Sequence, residues 1–332
     1  MSLMITGATG FVGINLLEEA LRGAHDVISL ADRALGETPR SVLSGLPGRL
    51  TEVLADVRDK EQVGAAMAAH DVTRVIHAAV ITSDAARECR QGDVIVSVNL
   101  AGTAAVAQAA AEQGVESFLL VGSVSAFGPV LASDVPTIEE DRPQAPRSLY
   151  SIGKSASEAI LWRIAELHGM DVRIGRLGTV FGPWEHASGV RDTLSAPHQI
   201  MKAAREKRAV RLPRPALKNW HYSRQAAADL LRLLEAPKPA RRDYNLGPSA
   251  SWSLADWCAR LAAERPSFSF SVGEGDGDPI ELYEAEDNAL LGGSAFIRDL
   301  GSRREWSMAE TALDYLAWAA AHDGWGIDAQ AA

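Results

Sequence analysis

Two patterns of apolar positions alternate through the first half of the chain. Short unbroken apolar runs at 2–6 (SLMIT), 26–32 (DVISLAD), 50–56 (LTEVLAD), 72–79 (VTRVIHAA) and 116–123 (ESFLLVGS) read as buried strands. Between them, at 11–23, 60–70 and 99–114, apolar residues return every three or four positions, as on amphipathic helices. This rhythm predicts an α/β fold: a doubly wound parallel sheet, helices on both faces, with ligands bound beyond the carboxyl ends of the strands. Past residue 178 the rhythm weakens. The stretches 198–208, 224–236, 253–265 and 307–322 read as helices, Ser253 as an N-cap, and the acidic, Gly-rich 273–287 as an exposed loop.

Composition narrows the classes. Hydrophobic residues make up 47% and charged residues 23%, enough apolar material for a core in a soluble protein. A net charge of −10 and a pI near 5.3 speak against a nucleic-acid partner. Cys89 and Cys258 are far apart, the eight histidines are scattered, and no metal site is expected. The chain starts directly in the first strand, and its most apolar stretch, 101–122, carries Glu and Gln. The expectation is a cytoplasmic protein with no membrane span. One block departs from the acidic average: residues 201–218 hold seven basic side chains and one acid. It reads either as a solvated helix face or as an anchor for a substrate anion.

The first strand–helix junction carries chemistry. In GATGFVG, Gly7 permits a tight turn, Gly10 a close approach of backbone to a pyrophosphate, and Gly13 close helix–strand packing. The following helix N-terminus offers free N–H groups to phosphate. Thr9, Phe11 and Val12 lie in the same loop. Asp32 ends the second strand nineteen residues past Gly13, placed to accept the adenosine ribose hydroxyls and disfavour a 2′-phosphate. Arg33 follows and could face such a phosphate, so NAD is expected and NADP stays open. The domains expected are a Rossmann-type NAD(P)-binding unit over 1–178 and a smaller C-terminal substrate-binding lobe over 179–332, whose chain crosses back into the first.

Taken in order, these segments resemble the extended short-chain dehydrogenases/reductases, the NAD-dependent epimerase/dehydratase family. The resemblance rests on TGATGFVG, ADVRD (55–59), VIHAA (75–79), VNLAGT (98–103), VGSVSAFG (121–128), YSIGK (150–154), RLGTVFGP (176–183) and LGSRREWSMAETALDYLAW (300–318). It implies cofactor contacts at Asp56, Val57, Ala78, Ala79, Asn99, Leu177 and Thr179. It implies catalysis by Ser123, Tyr150 and Lys154, with Tyr150 and Lys154 also touching the cofactor and dimerisation through helices. Tyr150 and Lys154, four apart, share a helix face, where the ammonium would favour the phenolate and Tyr150 would exchange a proton with a carbinol.

Departures from the family pattern bear on the reaction. Ser123-Val124-Ser125 holds no carboxylate pair for dehydration, Thr179 replaces an Asn, and Lys218 replaces a diphosphate-clamping Arg. A lysine lacks the bidentate fork of an arginine. Candidate substrate contacts are Ser123, Ser125, Thr179, Glu185, His186, Arg191 and Lys218. The reading is hydride transfer at a carbinol or carbonyl of a small polar substrate such as a sugar or sugar acid. A nucleotide-sugar epimerase with tightly held NAD and a non-catalytic dinucleotide sensor are the alternatives.

Overall fold

The computed structural model describes residues 2–322 and 324–326; residues 1, 323 and 327–332 of the two expected domains lie outside the described residues. The chain runs β1 (Ser2–Thr6), α1 (Phe11–Arg22), β2 (Asp26–Ala31), α2 (Glu37–Ser44), β3 (Arg49–Leu54), α3 (Lys60–Ala69), β4 (Val72–His77), α4 (Ala85–Val96), α5 (Gly102–Glu112), β5 (Ser117–Ser123), α6 (Leu149–His168) and β6 (Asp171–Leu177). A seventh strand, β7 (Asp243–Leu246), returns from the second half of the chain. The sheet order is β7-β6-β5-β4-β1-β2-β3, and every pairing is parallel.

The strands read as unbroken apolar runs because both faces are covered. Along β1, Leu3 and Ile5 enter one core while Met4 enters the other, on the opposite face. All of β5 is buried. The strand order reverses between β1 and β4, which places the ligand crevice of an open α/β sheet beyond the ends of these two strands.

Four elements of this sheet layer lie beyond the rhythm of the sequence. Helices α2 and α4 are short of buried apolar residues; in α4 only Ile95 is buried, so no periodic face announces it. Strands β6 and β7 carry buried polar residues, among them Arg173, Arg176 and Asn245. Arg176 forms a buried ion pair with Glu158 of α6 (Nη2–Oε2 2.8 Å) and reaches Asp243 of β7 (3.0 Å), tying three elements together. The expectation that no segment is long and apolar enough for a span is also corrected. The continuous helical run Ala85–Glu112 passes that test by length and composition, and it packs here against α3 and α6.

The remaining helices are α7 (Ala196–Arg205), α8 (Ser223–Glu235), α9 (Leu254–Glu264), α10 (Ser294–Leu300) and α11 (Met308–Ala321). Helix α8 packs on α1, and α9 packs on α7 and α11. The acidic stretch 273–287 is not a free loop. Asp278–Pro279 pairs with Val210–Arg211 as a short strand, and its carboxylates meet the basic block: Asp278 pairs with Arg208, Glu284 with Lys218 and Asp287 with Arg214. Two charge runs that look independent in the sequence neutralise each other, so this part of the basic block is neither a solvated face nor an unopposed anion trap.

Candidate active site

Beyond the ends of β1 and β4 opens a cavity of about 580 Å³. One end is the glycine loop. Gly7 has a left-handed φ of +64°, and a Cβ on it would lie 2.5 Å from the Ala79 Cα. A Cβ on Gly13 would collide with the carbonyl oxygen of Gly7. Gly10 caps α1 with no side chain, leaving the amides of the first turn open toward the cavity. Only glycines allow this cradle, and a dinucleotide pyrophosphate fits it: N–H donors at a helix N-terminus with no side chain in the way.

Thr9, Phe11, Val12, Asp32, Arg33, Asp56, Val57, Ala78 and Ala79 line the same end. Arg33 is tied down, its Nε 3.2 Å from Asp32 Oδ1 and its Nη1 donating to the Ser188 carbonyl at 3.2 Å. Asp56 is paired with Arg58, whose hydrogen bonds hold its pKa below the ordinary carboxylate value.

The other end is the Tyr/Lys helix. Ser148 and Ser151 form a reciprocal capping box (Ser151 N to Ser148 Oγ 3.1 Å, Ser148 N to Ser151 Oγ 2.9 Å), which starts α6 at Leu149. Tyr150 therefore sits in the first turn, with Lys154 one turn on and its Nζ 5.9 Å from the phenol ring centroid. Gly153 lets α6 press against Asn99, where a Cβ would stand 3.3 Å from the Asn99 Cβ. The Lys154 ammonium donates to the Val121 carbonyl at 2.6 Å, and burial pushes its pKa down to about 8 against the opposing charge of Glu158.

Ser123 and Thr82 line the cavity with Tyr150. Burial raises the phenol pKa above its usual value; the Ser123 hydroxyl, the charge of Arg191 and the Thr82 hydroxyl oppose that rise. The neighbouring lysine was expected to set the phenol's acidity. In the structure burial outweighs the favourable contacts, and the cation acting on the oxygen is Arg191.

Ser123 ends β5, and its Oγ accepts from Ser125 Oγ at 2.9 Å. Ser125, Leu177, Thr179, Arg191 and Lys218 also line the cavity. Three expected contacts do not. Asn99 lies beneath the floor in a π-helical turn, Ser97–Ala101, and its amide holds both the N–H and the C=O of Ile81 (2.7 and 2.9 Å). It positions the loop that carries Thr82. Glu185 is fully buried, accepting from the N–H and the hydroxyl of Ser195 (2.7 Å each) and pairing with Arg191 at 3.2 Å. His186 packs on Trp325, with its Nδ1 3.0 Å from the Trp184 carbonyl.

Thr82, Tyr283 and Glu284 belong to the site and went unread in the sequence. Thr82 lies five residues beyond β4, and Tyr283 and Glu284 sit inside the acidic stretch. Only the turning back of that stretch brings them in. Under the floor, His77 lies between Thr6 (Nδ1 to Oγ1 2.7 Å) and Thr103 (Nε2 to Oγ1 3.0 Å). Burial and then the Lys154 charge push its pKa down to about 3, so it stays neutral.

With this geometry in view, comparison places the chain among known proteins. The profile of the NAD dependent epimerase/dehydratase family matches residues 3–247. The chain belongs to the NAD-dependent epimerase/dehydratase family.

Within the family, a UDP-glucose 4-epimerase of Vibrio cholerae is 30% identical over 85% of this chain and 80% of its own length. The glycan biosynthesis protein Agl12 of Haloferax volcanii is 26% identical over 95% of this chain and 98% of its own. A dTDP-glucose 4,6-dehydratase of Streptomyces antibioticus is 32% identical over 55% of this chain, a match spanning about half (54%) of that relative. Among solved structures, the Thermotoga maritima UDP-glucose 4-epimerase with UDP-glucose superposes with a TM-score of 0.79 at 17% identity, covering 96% of this chain and 98% of its own. The Bordetella bronchiseptica enzyme WbmG with NAD superposes with a TM-score of 0.73 at 22% identity, covering 99% of this chain and 96% of its own. These superpositions show the shared fold.

Proposed function

We propose that this family member is an NAD-dependent oxidoreductase acting on a carbinol or carbonyl of a small polar substrate. The observation that carries the reading is one cavity lined by the glycine cradle, a half-buried Tyr150 phenol, Ser123 and Thr82. A bound NAD supplies the acceptor or donor of hydride. The rest is the chain's own work. Ser123 and Thr82 hold the reacting oxygen beside Tyr150. In the oxidative direction the Tyr150 oxygen accepts the carbinol proton; in the reductive direction it returns a proton to the carbonyl. Arg191 supplies positive charge that favours the phenolate against burial. NAD is preferred over NADP because Asp32 stands at the end of β2 while Arg33 is held by Asp32 and the Ser188 carbonyl.

The positions after Ser123, Val124 and Ser125, offer no acid–base pair for elimination of water. A second reading, nucleotide-sugar epimerisation, draws on the Vibrio cholerae relative. An epimerase retains its NAD through purification and gives no net absorbance change at the reduced-nicotinamide band, whereas a dehydrogenase turns over added NAD. A panel of sugars, sugar acids and nucleotide sugars with added NAD or NADP separates them. Tyr150→Phe is expected to lower turnover by about 10²–10⁴ with NAD affinity nearly kept; unchanged turnover defeats the assigned role.

Exposed apolar side chains on α4 (Val94, Val96) and α6 (Ile152) support a homodimer formed through these helices. A cytoplasmic setting is consistent with two free cysteines.

A further inference from the structure

We infer that the substrate end of this cavity is built for a compact hydroxy acid, whose carboxylate lies one or two carbons from the reacting carbinol and is held by Arg191, and not for a nucleotide sugar. The inference rests on the reading of Tyr150 as the group at the reacting oxygen.

Arg191 is placed by backbone before side chain. It bridges Thr82, with Thr82 N donating to the Val190 carbonyl at 2.8 Å, so it is anchored to a loop that lines the cavity with Tyr150. Its guanidinium is then fixed on three sides. Nε donates to the Thr193 carbonyl at 3.0 Å, and Nη2 lies 3.3 Å from the Tyr283 hydroxyl and 3.2 Å from Glu185. The Phe11 ring centroid lies 5.4 Å from its central carbon. Nη1 has no hydrogen-bond partner among the described residues, yet it is not sealed from solvent, and the residue lines the cavity. The uncommitted donors of this pre-oriented guanidinium are therefore those of Nη1, on a residue that lines the cavity with Tyr150.

Glu185 balances the charge from behind. Its oxygens are engaged by the Ser195 N–H and hydroxyl, which leaves the cavity face of the guanidinium for an incoming oxygen anion. A carboxylate oxygen gives such a fixed cationic donor a charge-assisted hydrogen bond.

The second observation concerns size. Adjoining the cavity at Lys218, Tyr283 and Glu284, a recess between Arg214, Lys218, Trp220 and the segment 281–288 has room for about 20 Å³, space for about one water. Its two cations are already matched: Lys218 pairs with Glu284 and Arg214 with Asp287, each at 3.0 Å. Asn288 Nδ2 donates to the other oxygen of Glu284 at 3.1 Å. A diphosphate seated on Lys218 and Arg214 would have to displace two carboxylates of the chain itself, whereas an acid held by Arg191 needs neither cation.

The test uses the full chain saturated with NAD. Calorimetry and thermal-shift titrations compare D-glycerate and D-gluconate with glycerol and sorbitol, their uncharged counterparts, and with UDP and UDP-glucose; reduced NAD is followed in parallel. The acids are expected to bind at least 30-fold tighter than the polyols, with no binding of UDP at 1 mM. In Arg191→Gln the acid-to-polyol ratio collapses to within about threefold while NAD affinity stays within threefold of the parent; Arg191→Lys recovers part of the ratio. Micromolar binding of UDP or UDP-glucose overturns the inference, as does an acid that binds no better than its polyol. If Arg191→Gln does not fold, the parent's own discrimination and Arg191→Lys still decide. Acid binding without any reduction of NAD would defeat the proposed reaction and leave the carboxylate site standing; reduction driven by a polyol in preference to its acid would do the reverse.

Discussion

At the glycine end of the cavity, specificity comes from backbone held close to backbone. At the Arg191 end it comes from side chains held by opposite charges. Gly7 approaches Ala79, Gly13 approaches the loop before it, and no charge balance is involved. Across the cavity Lys218 and Arg214 each face a carboxylate supplied by a distant segment, and Arg191 faces one from its own loop, Glu185. Backbone contact tolerates no added atom. Charge pairs that are partly exposed exchange partners at little energetic expense. The first construction suits a ligand of fixed chemistry; the second suits a part of the site that adapts to its substrate.

The steric end is the more brittle of the two. Gly13→Ala places a methyl group on the Gly7 carbonyl oxygen, so the loop must shift or the helix must move away. We expect NAD affinity to fall by more than 100-fold and stability by roughly 2–4 kcal/mol, the range for a forced overlap in a packed region, as measured by calorimetry and denaturant titration. Acid binding at Arg191 in the absence of NAD should change little. Retention of NAD affinity would show that the loop yields, and the contrast between the two ends would dissolve.

The same contrast explains what could be read from the sequence. The glycine end is contiguous, and its residues are constrained by local backbone geometry, so Gly7, Gly10 and Gly13 declare themselves. Tyr150 and Lys154 were legible because helical spacing puts them on one face. Thr82, Tyr283 and Glu284 were not, because nothing local requires them: Tyr283 and Glu284 arrive only when the 278–288 segment crosses residues 210–218, and Thr82 is placed by Asn99 and by its bridge to Arg191. Glu185 and His186 were misread for a related reason. They neighbour Arg191 in a loop whose side chains alternate between the cavity and a cluster of tryptophans, and sequence alone does not say which way each turns. Strands β6 and β7 escaped because buried polar groups such as Arg176 and Asn245 interrupt their apolar runs.

Lys154 joins the two ends and bears an energetic conflict. Below about pH 8 it is charged in both folded and unfolded chains, and the folded state carries the burden of a buried ammonium. Between about 8 and its ordinary value of 10.5 the folded chain releases a proton that the unfolded chain keeps, so stability rises with pH in that window. The full rise is up to about 3 kcal/mol. Lys154→Met should lack this rise and be more stable than the parent at pH 7 by about 1–2 kcal/mol, after loss of the bond to the Val121 carbonyl. Its turnover should fall by about 10²–10³. A parent stability flat from pH 7.5 to 10.5 in denaturant titrations would contradict the buried charge.

His77 bears a conflict of the same sign in a more acidic window. Its folded pKa of about 3 lies below the ordinary 6.5, so in that interval the unfolded chain binds a proton that the folded chain refuses. Stability is therefore lost as pH falls from 6.5, by about 2–3 kcal/mol at pH 4.5 from this group. Replacing His77 with Gln, which keeps hydrogen bonding to Thr6 and Thr103 within reach, should flatten that part of the profile. A profile of unchanged slope would mean that carboxylates elsewhere carry the acid dependence.

The charge-held strap should respond least, and in the most diagnostic way. The Lys218–Glu284 and Arg214–Asp287 pairs have carboxylate side chains more than a third exposed, at 36% and 38%. Such pairs contribute about 0–1 kcal/mol each. The double variant Glu284→Gln, Asp287→Asn should lose no more than about 1 kcal/mol of stability and leave NAD affinity unchanged. It removes two negative charges from the recess and leaves Lys218 and Arg214 unopposed. Binding of UDP should then become measurable in the millimolar range, weakening with added salt as screened charges require. If the neutralised recess still refuses UDP, its shape excludes the nucleotide without help from charge. If instead NAD affinity falls along with strap stability, the two ends of the cavity are mechanically coupled through Tyr283 and Arg191, and the separation of a rigid steric end from an exchangeable electrostatic end is wrong.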